Sequence, residues 1–258
     1  MTRPETDRTA APVEDGRQRK ARRTREALGA AAAELMLDRG LADVTVEAIA
    51  ERADVTRRTF SRHFSGKEDA AVESTRVDGE RINDALRARP AGEPPLVAYR
   101  SAVREWVFDE VCPGVHRRPR GRELFALIDR EPALFAAYER VRIEAQEESV
   151  RILADRLGVD PDRDPRPGVV VGAGSGVLIA ALRLWARRAD EGPEGLPVLV
   201  ELAYDALCAE AAARKGDPQG DLRGEPQGDL QGGPQGEPSG DSPYPGGENR
   251  FSLSRSIY

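Results

Sequence analysis

Residues Val44 to Phe64, VTVEAIAERADVTRRTFSRHF, leave a chain of this kind little freedom. The stretch predicts two short amphipathic helices separated by a tight turn. Thr45 precedes the first, and its hydroxyl can accept from a free backbone N–H of the opening turn. Val46, Ile49, Ala50 and Ala53 recur at helical spacing and share one face. Asp54 falls where the chain must reverse, and Asp tolerates left-handed backbone better than most residues with a side chain. Val55 plugs the turn. Thr56 caps the second helix, whose inward positions are Phe60 and Phe64. Its other face carries Arg57, Arg58, Thr59, Ser61 and Arg62. A short helix with an apolar back and an Arg, Thr and Ser front suits the major groove. Arg donates two hydrogen bonds to guanine there, and Thr meets a thymine methyl or a phosphate.

Charge placement supports a localised nucleic-acid contact. The 258-residue chain has a net charge of −6 and 33% charged residues, so it is no basic coat protein. Between Gly16 and Lys67 there are twelve Lys and Arg against seven Asp and Glu, a local +5, which leaves −11 on the remainder. Arg17, Arg19, Lys20, Arg22, Arg23 and Arg25 cluster at the start of a first long helix. That helix is expected to end near Arg39 with Gly40 as its stop. Its inner stripe is Leu28, Ala31, Ala32, Leu35 and Met36. Basic residues there oppose the helix macrodipole, a cost that a nearby phosphate backbone would offset. After Phe64, Ser65 and Glu68 have capping-box spacing, and a fourth helix is expected to run to about Arg87. Lys67, in its first turn, is a candidate phosphate contact.

The run LMLDRGLADVTVEAIAERADVTRRTFSRHFSGKEDAAV resembles the DNA-binding domain of the tetracycline-repressor (TetR) family of bacterial transcription regulators. The matching features are a first helix ending in Gly, Thr-Val-x-x-Ile-Ala, Ala-x-Val-Thr, a His before Phe, and Lys-Glu. Asp54 stands where the family has a turn Gly, Ser61 where an aromatic is common, and Gly66 where Ser is frequent. The resemblance implies an all-α fold of about nine helices: a three-helix helix-turn-helix domain, then a helical ligand-binding and dimerisation domain. It implies that Thr45, His63 and Lys67 meet phosphates. It also implies that Thr56, Arg57, Arg58, Thr59 and Ser61 face the major groove, with Arg62 beside them. The implied partners are double-stranded operator DNA, a second copy of the chain and a small-molecule effector.

The expected organisation is a disordered arm at residues 1–16, a DNA-binding domain at 17–77, a regulatory domain at 78–214 and a disordered tail at 215–258. The tail repeats PQG at 218, 226 and 234, and its Pro, Gly, Gln and acid cannot bury a core. The regulatory part reads as helices over 96–111, 121–130, 133–158, about 168–189 and 196–213. By the resemblance, Tyr99, Trp106, Phe108, Phe125, Phe135 and Tyr138 are candidate ligand-lining residues. Val170, Val177, Leu178, Ala181, Leu184, Trp185, Leu199 and Leu202 are candidate dimer contacts.

One motif points elsewhere. VVVGAGSG at 169–176 imitates the strand and Gly-rich loop of a dinucleotide-binding enzyme, with Asp190 and Glu191 at a suggestive distance. The fingerprint wants Gly at 177, which is Val, and no second strand separates the helix from Asp190. Close helix packing through Gly172, Ala173, Gly174 and Gly176 is the alternative reading. No catalytic constellation, metal-ligand set or cofactor site is expected, so the chain reads as no enzyme. A DNA-binding architectural protein without an effector is the remaining alternative. Cys112 and Cys208 are expected to be reduced, packed thiols. With no signal-peptide pattern and no run of about 18 uncharged apolar residues, the expected location is cytoplasmic, away from any membrane.

Overall fold

The computed structural model describes residues 16–188 and 195–213, and within them the ordered elements are all helical. Residues 1–15 of the expected 1–16 arm, the PQG-bearing tail, and Asp190 with Glu191 lie outside the described residues, while Gly16 is helical. Helix α1 (Gly16–Arg39) ends at Gly40, whose φ of +83° is the left-handed stop anticipated there. Helices α2 (Val46–Arg52) and α3 (Arg57–His63) follow. Thr45 Oγ1 accepts from Ala48 N at 3.2 Å, and Thr56 Oγ1 accepts from Thr59 N at 3.2 Å. Asp54 turns the chain between them at φ +54°, so a residue other than Gly holds the left-handed position. Behind this pair, Leu28, Met36, Ile49 and Phe60 are almost wholly buried. Each such side chain contributes about 1.5–3 kcal/mol relative to exposure.

The fourth helix departs from expectation. It forms as α4 (Lys67–Ala71) and α5 (Glu73–Ala88), broken at Val72, where φ is −95° and ψ 8°. The described helices therefore number ten, with α6 (Pro95–Phe108), α7 (Gly121–Arg130), α8 (Pro132–Leu157), α9 (Arg166–Arg187) and α10 (Gly195–Ala213), plus a short 3-10 turn at Val115–Arg117. Ser65 does not cap α4. Gly66 occupies the cap position, and Ser65 instead donates from N and Oγ to Asp69 Oδ2 at 3.2 and 3.1 Å. Asp69, rather than Glu68, closes the turn.

Residues 169–176 lie in the middle of α9, so VVVGAGSG forms neither strand nor loop. Gly174 is where that helix needs a missing side chain: a Cβ there would lie 2.5 Å from the Tyr99 ring. Gly172 and Gly176 meet nothing within 4 Å. By length and composition α9 could cross a membrane, but it packs against α6, α7, α8 and α10, with Val171, Ala181, Leu182 and Trp185 buried in the body. Gly79 has a similar function between α5 and α8, where a Cβ would approach Ala145 Cβ to 2.9 Å. Cys112 and Cys208 are both exposed, contrary to the packed thiols expected. Cys112 sits in the turn after α6, where its N–H binds Asp109 Oδ1.

Candidate functional site

The first candidate surface is the outer face of α2 and α3. Arg57, Arg58, Ser61 and Arg62 are exposed on α3, while Thr59 and His63 are half-buried. Arg57 pairs with Glu47 of α2 at 2.9 Å. Arg58 and Arg62 have no ion pair among the described residues, which leaves two guanidinium groups available to an external anion or base edge. The Thr56 hydroxyl is engaged by the Thr59 N–H and lies 3.0 Å from Thr59 Oγ1, so both threonines first secure the helix start. His63 has its pKa lowered by burial, then by Arg25 and Arg62, so at neutral pH it presents an uncharged imidazole. Replacing Arg58 by Ala is expected to cost about 1–3 kcal/mol of affinity for a specific DNA site if it reads a base. A gel-shift titration against a site and a scrambled control checks this.

Lys67 and Arg25 of the basic set are held by partners distant in sequence. Lys67 Nζ donates to Leu41 O at 2.7 Å and Val44 O at 2.9 Å, bracing the α1–α2 loop and leaving one N–H for a phosphate. Arg25 sits inside the head. Its Nε pairs with Glu73 at 2.5 Å, its Nη1 donates to His63 O at 2.7 Å, and its guanidinium carbon lies 4.5 Å from the Phe64 ring centre. The cluster beginning at Arg17 is helical throughout and Arg25 is its inward member.

The second candidate is an interior cavity of about 90 Å³ between α5, α6, α7, α8 and α9. Tyr99, Trp106, Phe125 and Tyr138 line it. Phe135 instead lines an adjoining cleft of about 380 Å³, which shares Phe125, Tyr138, Ile179 and Leu182 with the cavity. Phe108 belongs to neither. It is 47% exposed with Arg104 over its ring, because the sixth helix ends there and turns it outward.

The lining also holds polar groups that helical periodicity does not reveal. Asp78 is 4% exposed and its Oδ2 accepts from Val115 N at 2.9 Å. Ser149 donates to Asn83 Oδ1 at 2.6 Å, and Gln146 donates to Ser175 Oγ. Beside them His116 is buried, edge-on to Trp106, with its Nε2 bound to Val107 O at 3.1 Å. Burial pushes the Asp78 carboxyl up to about 6 and the His116 imidazole down to about 4.

The signs follow from linkage. A carboxyl whose folded pKa is raised binds its proton more tightly when folded, so its contribution to stability is lost as pH rises from about 4 through about 6. Asp78→Asn, which keeps an oxygen for Val115, is expected to be more stable than the parent at pH 7.5 by about 3 kcal/mol, an advantage that vanishes near pH 4. Urea unfolding at the two pH values measures it.

Of the expected partner-facing residues, Val177, Ala181, Trp185 and Leu199 are buried within the protomer and have no surface to offer. Val170 and Leu178 are partly buried against the same core. Leu184 and Leu202 are exposed, at 43% and 60%. Val169 and Val198, absent from that expected set, are also exposed, at 66% and 60%. Together with Gly172 and Gly176 these form one stripe along α9 and another along α10.

Residues 28–71 match the model for bacterial regulatory proteins of the tetR family, and residues 93–220 match that for the MftR C-terminal domain. The chain is 40% identical over 204 residues to the HTH-type transcriptional regulator TcmR of Streptomyces glaucescens, an alignment covering 76% of this chain and 88% of the relative. Among solved structures, SmeT, the repressor of the Stenotrophomonas maltophilia multidrug efflux pump SmeDEF, is 19% identical, covers 72% of this chain and 89% of its own, and has a TM-score of 0.48. NalD of Pseudomonas aeruginosa, the secondary repressor of the MexAB-OprM multidrug efflux pump, is 19% identical, covers 72% and 96%, and has a TM-score of 0.47.

Proposed function

We propose that this chain, a member of the TetR family of bacterial DNA-binding transcriptional regulators, represses transcription as a homodimer on a palindromic operator and releases DNA when a small molecule enters its interior cavity. Operator contact resides in residues 17–77, effector and partner contacts in 78–214, and the protein works in the cytoplasm. The observation that carries this reading is the pairing of two features in one compact unit. A doubly capped helix α3 presents Arg58 and Arg62 free of internal ion pairs, and an aromatic-lined cavity is walled by α5, which follows α4 out of the head.

The mechanism follows from geometry. One recognition helix reads only a few base pairs, so two linked copies on a symmetric site multiply selectivity. Repression is steric occupation of a promoter. A ligand releases the operator only if it prefers the spacing of recognition helices that DNA does not. A 100-fold preference is worth about 2.7 kcal/mol. The cavity walls Asp78, Gly79 and Ile82 belong to α5, whose first residue, Glu73, holds Arg25 at the end of α3, so a shift of α5 moves the reading head.

The test is selection of genomic fragments by the purified protein, footprinting of those retained, and gel shifts at two salt concentrations. A symmetric footprint supports the proposal, with affinity falling steeply in salt and released by a small molecule. Retention of all fragments alike, insensitive to any small molecule, assigns the chain to DNA architecture instead.

A further inference from the structure

Among the described residues, one ion pair joins the outer faces of the two motif helices: Arg57 Nη1 lies 2.9 Å from Glu47 Oε1. A carboxylate on a face that meets phosphates repels them, so its presence there needs a compensating role. Glu47 stands in the opening turn of α2, where negative charge favours the helix dipole. That accounts for an acid in this turn, but not for its aim at Arg57.

Both partners are fixed at the backbone. Glu47 follows the Thr45 cap, whose Oγ1 accepts from Ala48 N, and Arg57 is the first residue of α3, behind the Thr56 cap. The opening residues of a recognition helix are the ones that reach base edges. Glu47 takes Nη1, at one end of the guanidinium. Nε and Nη2 form the opposite edge and have no partner among the described residues. Two parallel N–H groups on one edge match O6 and N7 of guanine. Arg58 and Arg62 have no carboxylate to orient them, so their guanidinium groups can follow a phosphate in any sequence. On the free protein the pair contributes little to stability, its side chains being 73% and 58% exposed. Once a duplex covers it, water leaves and the attraction strengthens. An arginine already turned edge-outward also loses less freedom on binding.

Resting on the operator reading above, we propose that Glu47 is a positioning residue, which orients Arg57 so that its Nε–Nη2 edge reads a guanine in each half-site. Glu47 acts through Arg57 and touches no base. Its charge opposes phosphates whatever the sequence, so it exchanges general affinity for selectivity.

The full-length protein and its variants are used to select from a duplex library with a randomised centre. Gel shifts then compare the selected duplex, the same duplex with each base pair changed in turn, and an unrelated duplex. The parent is expected to require a guanine at one symmetric pair of positions and to lose about tenfold in affinity when it is changed. Arg57→Ala loses that preference and no other. Arg57→Lys loses it too, because an ammonium has no planar fork. Glu47→Gln reduces it to about threefold or less, while binding to the unrelated duplex strengthens. In the Arg57→Ala background, Glu47→Gln changes base preference no further. Glu47→Asp keeps the charge in the opening turn of α2 but shortens the reach, so it also reduces the preference. It carries the test if Glu47→Gln fails to fold.

A parent that enriches no sequence fails the operator reading, and the proposal with it. An enriched symmetric site whose guanine preference survives the Glu47 variants defeats the role of Glu47 alone, whatever those variants do to urea stability. A Glu47→Gln loss that adds to the Arg57→Ala loss also defeats it, because Glu47 then has a base of its own. A guanine preference retained by Arg57→Ala removes Arg57 as the reader.

Discussion

Arg25→Ala is expected to lower the unfolding free energy by about 3–5 kcal/mol, the cost typical of stripping one partner from a buried ion pair. Glu73 is the buried member, its side chain only 5% exposed. Without Arg25 its nearest remaining cation is Arg76 at 3.5 Å, and Oε2 already lacks a hydrogen bond. The same substitution removes the donor to His63 O at the end of α3 and the cation over Phe64. Arg25→Lys recovers only part of the loss, because an ammonium cannot span the carboxylate, the carbonyl and the ring face as a planar guanidinium does. Arg76 continues the chain of charge to Asp69 on α4 and Glu144 on α8. Arg25 is thus the point where the reading head is bolted to the body.

Operator binding separates this role from a phosphate contact. A positioning residue lowers affinity without changing the salt slope, whereas each lost phosphate contact reduces the slope by about 0.9. Urea unfolding and gel shifts at several salt concentrations give both readouts. A variant of unchanged stability with a shallower salt slope would return Arg25 to the DNA surface.

What the sequence disclosed and what it concealed divide by the range of the interaction. Thr45, Asp54 and Thr56 act within four residues of themselves, so capping and turn chemistry locate α2 and α3 almost to the residue. The break at Val72 has no such mark. KEDAA before it and ESTRVDGERIND after it are both helical, and only α5 goes on to pack on α6, so the break belongs to tertiary packing. Asp78 shows the limit of periodicity. It shares a face with Ile82, Ala85 and Leu86, all buried, and that placement was the available signal. A carboxylate is counted as outward unless its register is compared with the apolar stripe. His116, in a loop of Pro, Gly and Arg, has no pattern from which burial could be inferred. Tertiary contacts of α1 with α4 and α5 likewise turned Arg25 inward from a cluster that composition assigns wholly to solvent or DNA.

Leu202→Glu is expected to weaken self-association by 10² to 10³-fold, about 3–4 kcal/mol for an unpaired charge driven into an apolar contact. The case rests on which face of α9 and α10 the body leaves uncovered. Both faces of α9 are apolar in sequence, so a pattern of hydrophobic residues cannot choose between them. Val177, Ala181 and Trp185 lie roughly a third of a turn from Val169, Gly172, Gly176 and Leu184 at 3.6 residues per turn. The first group is spent on the protomer's own core, where Trp185 meets His116 and Phe125 edge-on. The second group is exposed, with Gly172 and Gly176 offering space for another backbone. On α10, Val198 and Leu202 extend the stripe one turn apart. In a two-fold interface each substitution is present twice, so one Glu places two charges near the axis. Sedimentation equilibrium measures the association, and the operator gel shift should change from a single cooperative complex to weak half-site occupancy. Trp185→Phe is the contrasting variant. It is expected to lower stability through a cavity near Phe125 while the dimer persists. If Leu202→Glu remains fully dimeric and Trp185→Phe dissociates, the partner lies against the other face of α9.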